Sequence, residues 1–450
     1  MTPRAIAMHT LMQVARRGSF PDVLLDIYFK ENPELDNRDR ALITELVYGV
    51  LRWQGRLDWI IDRQISIRPE KVALPVRLVL RLAVYQLLFL DRVPAAAAVH
   101  EAVELAKASQ PQHVVRFVNG VLRSISRKAE VLKEASPEGS SEHRLAMLYS
   151  YPVWLVQRWL TQWGTEETEA FCHASNQIAP TTVRVNTLKT SVAGLAACFK
   201  DLGFSVEPSK LVPEALQLRS IRTDLSSLEQ YERGEFQVQD EGSQLVAHLL
   251  QPQPGETGLD ACAGLGAKSP HLAQLMENQG KVIALDNQGW KLNRLMENGR
   301  RLGVSSIEPV EMDLLELEPS GDEFSFDRIL LDAPCTGLGV LRRNPDLKWK
   351  IKPKDFRRLH LVQKGMLNKL APLLQPGGVL VYATCTASKE ENEETVQDFL
   401  RENKEYQRES ARPYLPPGCA AAVNRDGSLQ TWPHRHGVDG FYAARLRRIS

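Results

Sequence analysis

Apolar residues recur at every third or fourth position through the first part of the chain, a spacing that places them on one face of an α-helix. Pro75 and Pro94 stand where helices would begin, since the first turn tolerates a residue without an amide hydrogen. No alternating pattern of comparable length occurs beside them. The sequence therefore predicts an all-α domain over residues 1–130. Its clearest helices lie at 42–50, 78–89 and 115–125.

The composition changes after this domain. Residues 128–143 contain few large apolar side chains and many Ser, Glu, Pro and Gly residues, which is typical of a linker. The segment beyond combines helical spacing with the strand-like TTVRVNTL at 181–188. We therefore expect a small α/β middle subdomain over residues 144–235.

From about residue 236, short apolar runs that end in small or polar residues alternate with helical patterns. Such alternation indicates a doubly wound α/β domain with a parallel sheet, and we predict this Rossmann-like domain over residues 236–450. The predicted strands are GLDACAG (258–264), KVIALD (281–286), FDRILLDAP (326–334) and GGVLVYATC (377–385).

Bulk composition narrows the class of protein. The chain has 450 residues, a net charge of only +1 and six cysteines without a C-x-x-C pair. A metal site is therefore not expected, and an RNA surface would need local clusters of basic residues. The first residues lack the pattern of a signal peptide, and no apolar run approaches the roughly 18 residues of a membrane span. We expect a cytoplasmic monomer with reduced thiols and no membrane partner.

Ligands of doubly wound sheets bind beyond the carboxyl ends of the strands. At one such end DACAGLGAKS gives a strand, a glycine-bearing turn and a helix. Asp286 follows at about the spacing of an acidic residue that accepts hydrogen bonds from ribose hydroxyls. The turn has neither G-x-G-x-x-G nor G-x-x-x-x-G-K-[ST], so a nucleoside cofactor without phosphates fits best.

Two cysteines end two of the predicted strands: Cys335 follows Asp-Ala-Pro, and Cys385 lies in YATCTAS. If the cofactor donates a methyl group, a pyrimidine C5 acceptor needs thiolate attack at C6, because C5 is otherwise a poor nucleophile. A second thiol and an acid suit the later release, and Asp332 is placed to hold the cytosine amino group or protonated N3. The alternative is that both cysteines are merely small buried apolar residues.

The residues after Cys385 bear on which thiol is the more reactive. Ser388 and Glu391 form an S-x-x-E capping box, which predicts a helix that begins about three residues beyond Cys385. A helix N-terminus lowers the pKa of a cysteine, although the glutamates of this helix oppose the effect. These residues favour Cys385 without deciding between the two thiols.

These motifs resemble those of the RNA cytosine-C5 methyltransferases of the NOL1/NOP2/Sun family. DAPCTG and ATCT match the two cysteine motifs of the family, and DACAGLGAK matches its S-adenosylmethionine loop. The N-terminal RDRALITELVYGVLR, VHEAVELAK and RFVNGVLRSI resemble the RNA-binding domain of the antitermination factor NusB. Further matches are RVN (184–186), VQDEGSQLVA (238–247), RRNPDLKW (342–349) and HGVDGFYAARL (436–446). The combination resembles bacterial methyltransferases of 16S ribosomal RNA.

The resemblance implies a function for each site residue. Cys385 would be the nucleophile at C6, Cys335 would assist release of the adduct, and Asp332 would contact both base and cofactor. The methyl donor would be S-adenosyl-L-methionine, and the partner would be RNA, above all 16S ribosomal RNA. The expected cofactor-binding residues are Cys262, Ala263, Gly264, Leu265, Gly266, Ala267, Lys268, Asp286, Asp313 and Asp332.

One loop departs from the family pattern. The family commonly has C-A-A-P-G-G-K-T where this chain has CAGLGAKS. Ala267 replaces a glycine, which is acceptable only if that position does not require a positive φ. Cofactor affinity, rather than the fold, depends on this difference.

A basic stretch begins close behind Cys335. RRNPDLKWKIKPKDFRR at 342–358 carries eight Lys or Arg residues, with Trp349 and Phe356 between them. Cations for phosphates and aromatic rings for bases are typical of a surface that binds unstacked RNA. A solvated basic stretch is the alternative, but the position beside the thiols favours RNA. The target base must be unpaired or flipped, because C6 cannot be reached inside a helix.

Three functions remain open at this point. The first is methylation of small-subunit ribosomal RNA, the second is the same chemistry on transfer RNA, and the third is a non-catalytic RNA-binding assembly factor. The NusB-like helices argue against transfer RNA. The intact Asp286, Asp332, Cys335 and Cys385 argue against the assembly factor.

Overall fold

The helical spacing of the N-terminal residues corresponds to helices in the computed structural model, which describes residues 1–221, 223–317 and 325–450. Pro75 lies in the first turn of one helix, and Pro94 caps the start of the next, as expected. The apolar faces of these helices form one core, in which Leu78, Leu82 and Val118 are at most 2% exposed. Residues 1–180, all described, contain no strand, so the predicted all-α character of this part is confirmed.

By their internal contacts the residues fall into two units. The first unit comprises Met1–Asn176 and Asn344–Lys350, and the second comprises Gln177–Arg343 and Ile351–Ser450. The predicted division at 130, 144–235 and 236–450 draws different boundaries and stays a prediction. The helices of the first unit are α1 (Pro3–Arg17), α2 (Pro21–Glu31), α3 (Asn37–Asp62), α4 (Leu74–Phe89), α5 (Ala95–Lys107), α6 (Gln112–Arg127), α7 (Ala129–Glu134), α8 (Ser141–Tyr149), α9 (Val153–Trp163), α10 (Thr165–Ser175) and the short α16 (Leu347–Lys350).

The predicted linker is partly wrong. Residues 129–134 form α7, and Leu132 is buried in the core of the first unit. The Arg56 guanidinium, on α3, donates to the carbonyl oxygens of Leu132 at 3.3 Å and Ala135 at 2.5 Å. Buried Leu132 and the hydrogen bonds from Arg56 hold this polar segment against the first unit, and composition does not show either contact.

The basic stretch 342–358 is not one exposed surface, which corrects the RNA-binding prediction for its first half. Lys348 is 1% exposed, and its Nζ donates to the carbonyl oxygen of Arg52 at 2.8 Å. The Trp349 indole donates to the carbonyl oxygen of Leu51 at 2.9 Å. Burial, aided by Arg52, holds the pKa of Lys348 well below its usual value. These side chains therefore stabilise the first unit instead of facing a solvent-borne ligand.

The two arginines that begin the stretch are also used internally, within the second unit. Arg342 donates to Asp439 Oδ1 from Nη2 at 2.9 Å, and Arg343 donates to Asp439 Oδ2 from Nε at 2.6 Å. Phe356 is 3% exposed and cannot stack on a base. The side chains that stay exposed are Lys352, Lys354, Arg357 and Arg358, and for these four the RNA contact stays a prediction.

The second unit begins with a small antiparallel sheet. Its strand order is β2-β3-β1-β4, and an apolar core with Phe199 and Phe236 at its centre covers one face. The strand-like TTVRVNTL forms β1, as predicted. The strands are β1 (Thr181–Val185), β2 (Ser205–Pro208), β3 (Ala215–Arg219) and β4 (Phe236–Val238).

A larger sheet follows in the same unit. Its order is β10-β12-β9-β8-β5-β6-β7, with β11 paired to β12, and neighbours from β9 to β7 are parallel. All four predicted strands are present, and the antiparallel β12 extends the sheet beyond β9. The strands are β5 (Thr257–Asp260), β6 (Lys281–Asp286), β7 (Ile307–Glu311), β8 (Phe326–Asp332), β9 (Leu374–Thr384), β10 (Tyr406–Glu409), β11 (Leu429–Gln430) and β12 (Tyr442–Arg448).

Apolar cores lie on both faces of this sheet. Successive strand residues point to opposite faces, so Leu330 belongs to one core while Leu331 belongs to the other. This burial on both sides explains why the predicted strands are continuous apolar runs. The helices of this unit are α11 (Val192–Asp201), α12 (Glu229–Glu232), α13 (Glu241–Leu250), α14 (Ser269–Leu275), α15 (Gly289–Leu302), α17 (Pro353–Leu370), α18 (Thr395–Glu402) and α19 (Pro433–His436). None of the helices in the described ranges combines the length and apolar character needed to cross a bilayer.

We expect Trp349→Ala to lower the free energy of unfolding of the first unit by about 2–3 kcal/mol, because the half-buried ring and its hydrogen bond to Leu51 are lost. Lys354→Ala, an exposed change from the same basic stretch, should alter it by less than about 0.5 kcal/mol. Urea titration followed by circular dichroism measures both values. Equal effects of the two substitutions would show that Trp349 is not a structural residue.

Candidate active site

A cavity of about 370 Å³ opens at the carboxyl ends of the parallel strands, where the strand order reverses between β5 and β8. This is the position at which doubly wound sheets bind ligands. Its walls come from the ends of β5, β6, β7 and β8 together with α17. The lining residues are Ala261, Cys262, Gly264, Leu285, Asp286, Asn287, Gln288, Lys291, Met312, Asp313, Leu314, Asp332, Pro334 and Met366.

The loop 262–268 turns sharply after β5. Gly264 and Gly266 have φ angles of 56° and 81°, which other residues rarely adopt. A Cβ atom on Gly266 would lie 2.6 Å from the side chain of Leu295, so this glycine is also needed for close packing against α15. The φ of Ala267 is not positive. The departure from the family pattern at this position is therefore sterically permitted.

Asp286, at the end of β6, joins two loops of the cavity. Its Oδ2 accepts a hydrogen bond from the backbone N of Gly264 at 3.0 Å, and its Oδ1 accepts one from the backbone N of Gln288 at 3.0 Å. Lys291 Nζ lies 3.5 Å from Oδ1. Each carboxylate oxygen has a further lone pair, so Asp286 can hold the loops and still accept from a ligand in the cavity.

Lys268 places a buried ammonium group behind the cavity. Its Nζ lies 2.5 Å from Asp332 Oδ2 at the end of β8. Burial alone would lower the pKa of Lys268, but the charges of Asp332 and Asp260 outweigh it and raise that pKa. Burial raises the pKa of Asp260 to about 6, although Ser269 Oγ donates to it at 2.7 Å. Lys268 is thus held as a cation in contact with one solvent-accessible carboxylate.

The predicted cofactor residues fall into two groups. Five of them line the cavity, namely Cys262, Gly264, Asp286, Asp313 and Asp332. The other five are not among its lining residues, and they are Ala263, Leu265, Gly266, Ala267 and Lys268. Sequence reasoning missed several lining residues that lie within two positions of a predicted site residue, which is the signal that could have found them. Asn287 and Gln288 follow Asp286, and Met312 and Leu314 flank Asp313.

Cys335 and Cys385 lie on loops that leave the sheet side by side, because β8 and β9 pair in parallel with Asp332 opposite Ala383. Their Sγ atoms are 3.4 Å apart, within hydrogen-bonding distance for sulfur. This hydrogen bond and burial raise the pKa of Cys335 well above its usual value. The raised pKa favours the protonated form of Cys335, although the Sγ–Sγ distance alone is compatible with either thiol as the donor.

The loop after Cys385 contains more than the predicted capping box. Glu391 N lies 3.5 Å from Ser388 Oγ, and the Glu391 carboxylate also interacts with the Ser388 side chain. The same carboxylate accepts from Thr336, at 2.9 Å from the backbone N and 2.5 Å from Oγ1. Residues 390–394 form a π-helical turn, and α18 begins only at Thr395. Glu391 thus belongs to the thiol site, which the local motif did not show.

Family models match three parts of the chain. They describe the NusB family (residues 1–127), the ferredoxin-like domain of RsmF/B-like methyltransferases (151–223) and 16S rRNA methyltransferase RsmB/F (247–447). The probable ribosomal RNA small subunit methyltransferase B of Bacillus subtilis (strain 168) is 38% identical over 445 residues, which cover 99% of this chain and 98% of that protein. The chain belongs to the RsmB/F family of 16S rRNA methyltransferases.

Solved structures agree with this membership. The protein PH0851 has a TM-score of 0.82 at 27% identity, and the match covers 99% of each chain. NSun6 from Pyrococcus horikoshii, solved with SFG, has a TM-score of 0.59 at 25% identity over 67% of this chain and 100% of that one. The predicted fold class is confirmed, with NusB-like helices, a small α/β part and a Rossmann-like methyltransferase domain.

A buried polar cluster lies beside α14 in this RsmB/F family member. Glu214 Oε1 lies 2.7 Å from His248 Nε2 and 2.9 Å from His271 Nε2, which are hydrogen-bond distances. Burial lowers the pKa of His271 to about 3, so this ring is neutral at pH 7. Burial would raise the pKa of Glu214, but the hydrogen bonds from both histidines outweigh it and hold that pKa well below its usual value.

This cluster predicts acid lability. An unfolded histidine titrates near pH 6.5, and folded His271 does so near 3. Between these values the unfolded chain binds a proton that the folded chain does not, so stability falls as the pH falls. His271→Gln keeps an N–H donor and removes the titration. From pH 6.5 to 5 the wild type should therefore lose about 2 kcal/mol more than the variant in urea unfolding. Parallel pH curves would contradict the burial of a neutral His271.

Proposed function

We propose that this protein transfers a methyl group from S-adenosyl-L-methionine to C5 of a cytosine in 16S ribosomal RNA, through a covalent adduct between Cys385 and C6. The observation that carries the proposal is the pair of thiols, with Sγ atoms 3.4 Å apart on neighbouring loops. Methylation of a nitrogen or an oxygen would need no thiol, whereas attack at a pyrimidine C6 needs one and its reversal benefits from another.

The cavity beside the thiols fits the proposed cofactor. Its volume of about 370 Å³ lies within the range of small-molecule sites. Asp286 offers carboxylate lone pairs to ribose hydroxyls, and Asp313 lies at the end of the cavity formed by β7, on the side proposed for adenine. SFG, with which the related NSun6 was solved, is an analogue of S-adenosylmethionine. When bound, S-adenosylmethionine supplies the methyl group as an electrophile.

Cys385 is proposed as the nucleophile because the contact with Cys385 and burial raise the pKa of Cys335, which makes Cys335 the poorer source of a thiolate. The Cys385 thiolate forms a bond to C6 and pushes the electron pair of the C5–C6 double bond towards C5. C5 would then form a bond to the methyl group while the bond between that group and the cofactor sulfur breaks and leaves its electron pair on the sulfur. Solvent water accepts the C5 proton, and the electron pair of the C5–H bond restores the C5–C6 double bond. The S–C6 bond breaks in the same step and returns its electron pair to Cys385.

Cys335 is proposed to assist the last step. The Cys335 Sγ lies 3.4 Å from Cys385 Sγ, where its S–H group would donate to the thiolate and stabilise it as it leaves C6. Asp332 is proposed to hold the cytosine amino group or protonated N3. Its Oδ2 is engaged by Lys268, and its other oxygen remains to accept from the base.

The two thiols should give opposite results on substitution. Cys385→Ala should reduce methylation to less than about a thousandth of the wild-type rate and form no RNA adduct. Cys335→Ala should accumulate a protein–RNA adduct that survives denaturation, because the S–C6 bond forms but is expelled slowly. Radiolabelled RNA on denaturing gels measures the adduct, and Cys198→Ala is the control cysteine. The reverse pattern would refute the assignment of the nucleophile.

The substrate is tested separately by bisulfite sequencing of RNA from cells that lack the protein. A cytosine of small-subunit ribosomal RNA should lose its protection, and a gene for the wild type but not for Cys385→Ala should restore it. The expectation rests on the RsmB/F family and on the named rRNA methyltransferase of Bacillus subtilis. Unchanged ribosomal RNA together with a changed transfer RNA would move the substrate to transfer RNA.

A further inference from the structure

The two residues that directly follow the cysteines are joined to each other. Thr336 and Thr386 are at most 4% exposed, and their Oγ1 atoms lie 2.6 Å apart. Because Thr336 directly follows Cys335 and Thr386 directly follows Cys385, this contact joins the two cysteine loops. The hydrogen bond from Thr336 Oγ1 to Glu391 Oε1, at 2.5 Å, leaves Thr386 as the donor between the threonines.

Glu391 and its neighbour on α17 hold the Cys335 loop on both sides of the thiol. Glu391 accepts from the amide and hydroxyl groups of Thr336, which follows Cys335. Gln363 Nε2 donates to Glu391 Oε2 at 3.2 Å and to the carbonyl oxygen of Pro334, which precedes Cys335, at 2.9 Å.

Asn392, the next residue, does the same for the Cys385 loop. Its Oδ1 accepts from Thr384 Oγ1 at 2.5 Å, and its Nδ2 donates to the carbonyl oxygen of Thr386 at 3.0 Å. These two partners precede and follow Cys385. The π-helical turn of residues 390–394 thus presents two consecutive side chains to two different loops.

The burial of Glu391 is costly, which argues for a function beyond packing. Glu391 is fully buried, and the donors to its carboxylate are the Thr336 amide, the hydroxyl groups of Thr336 and Ser388 and the Gln363 carboxamide, all of them neutral. Burial raises the pKa of Glu391, which shows the cost of keeping its charge there. An apolar side chain of similar volume would fill this space at lower cost. The carboxylate is therefore explained by what it orients.

We propose that Glu391 and Asn392 are positioning residues that set the separation of the two thiols, Glu391 through the Cys335 loop and Asn392 through the Cys385 loop. This inference rests on the proposed function, in which Cys385 attacks and Cys335 assists release. Neither residue touches the base. Each acts through the backbone on both sides of one cysteine.

Substitutions at Glu391 and at Asn392 should both slow turnover but should differ in how much RNA adduct accumulates. Glu391→Ala misplaces Cys335, so turnover should fall about a hundredfold while the denaturation-resistant RNA adduct accumulates. Asn392→Ala misplaces the nucleophile, so turnover should fall by a similar factor while little adduct forms. Glu391→Gln keeps a side chain of the same length with one oxygen that can accept a hydrogen bond. This variant should therefore retain more activity than Glu391→Ala. Glu394→Ala, an exposed change in the same turn, is the matched control and should leave both quantities unchanged.

A double substitution separates positioning from general support of the fold. If Glu391 acts through Cys335, Glu391→Ala should slow release by less than about twofold when Cys335 is already alanine. Turnover and adduct decay are measured for the four proteins of the cycle, with circular dichroism to confirm that they fold. Equal losses in both backgrounds, or a loss of turnover without adduct, would overturn the proposal. Should Glu391→Ala fail to fold, Thr336→Val removes the hydroxyl link with little change of shape and should also accumulate adduct.

The experiments distinguish a failure of the proposed function from a failure of the positioning inference. If Cys385→Ala still methylates RNA, the proposed function fails whatever the Glu391 variants do. If Cys335→Ala accumulates adduct and Glu391→Ala does not, the proposed function stands and the positioning inference alone is overturned.

Discussion

The parallel pairing of β8 with β9 is the constraint on which the rest of the site depends. It sets Asp332 opposite Ala383, so the chain enters both cysteine loops at the same level of the sheet. Leu330 and Leu331 point into opposite cores, and a slip of one residue would move each of them to the wrong face. The hydrophobic cores on both faces therefore fix the register, and the register brings the thiols together.

This dependence explains how much of the site could be predicted from sequence. The strands are recognisable because burial on both faces requires continuous apolar runs, and their carboxyl ends are where Asp286, Asp332 and the cysteines stand. Glu391 could not be placed in the same way. In the sequence it completes a local capping box with Ser388, and in the structure its carboxylate also binds Thr336, 55 residues earlier in the chain. A local pattern cannot show the second partner.

The charge pattern of the sequence is likewise insufficient to predict an RNA-binding surface. The stretch 342–358 has the composition of an RNA surface, yet Arg342 pairs with Asp439, 97 residues away, and Lys348 is buried against the carbonyl oxygen of Arg52. A basic side chain is available to RNA only if it is not already paired with an acceptor inside the protein. Whether it is paired depends on tertiary contacts. Lys354 and Arg357, a few residues further on, are exposed, so one basic stretch contains both buried and exposed cations.

The same long-range contacts give the two cysteines different electrostatic surroundings. Thiols 3.4 Å apart cannot readily both be anions, so a pair that loses one proton holds the second more tightly. Which sulfur keeps it depends on the charges around the pair. The Glu391 carboxylate raises the pKa of Cys335, although the hydrogen bond to Cys385 and burial raise it more. The Lys268 ammonium interacts favourably with a charge on Cys385. A carboxylate beside one loop and an ammonium beside the other therefore give the two sulfur atoms unequal electrostatic surroundings, and neither group is adjacent in sequence to the thiol that it influences.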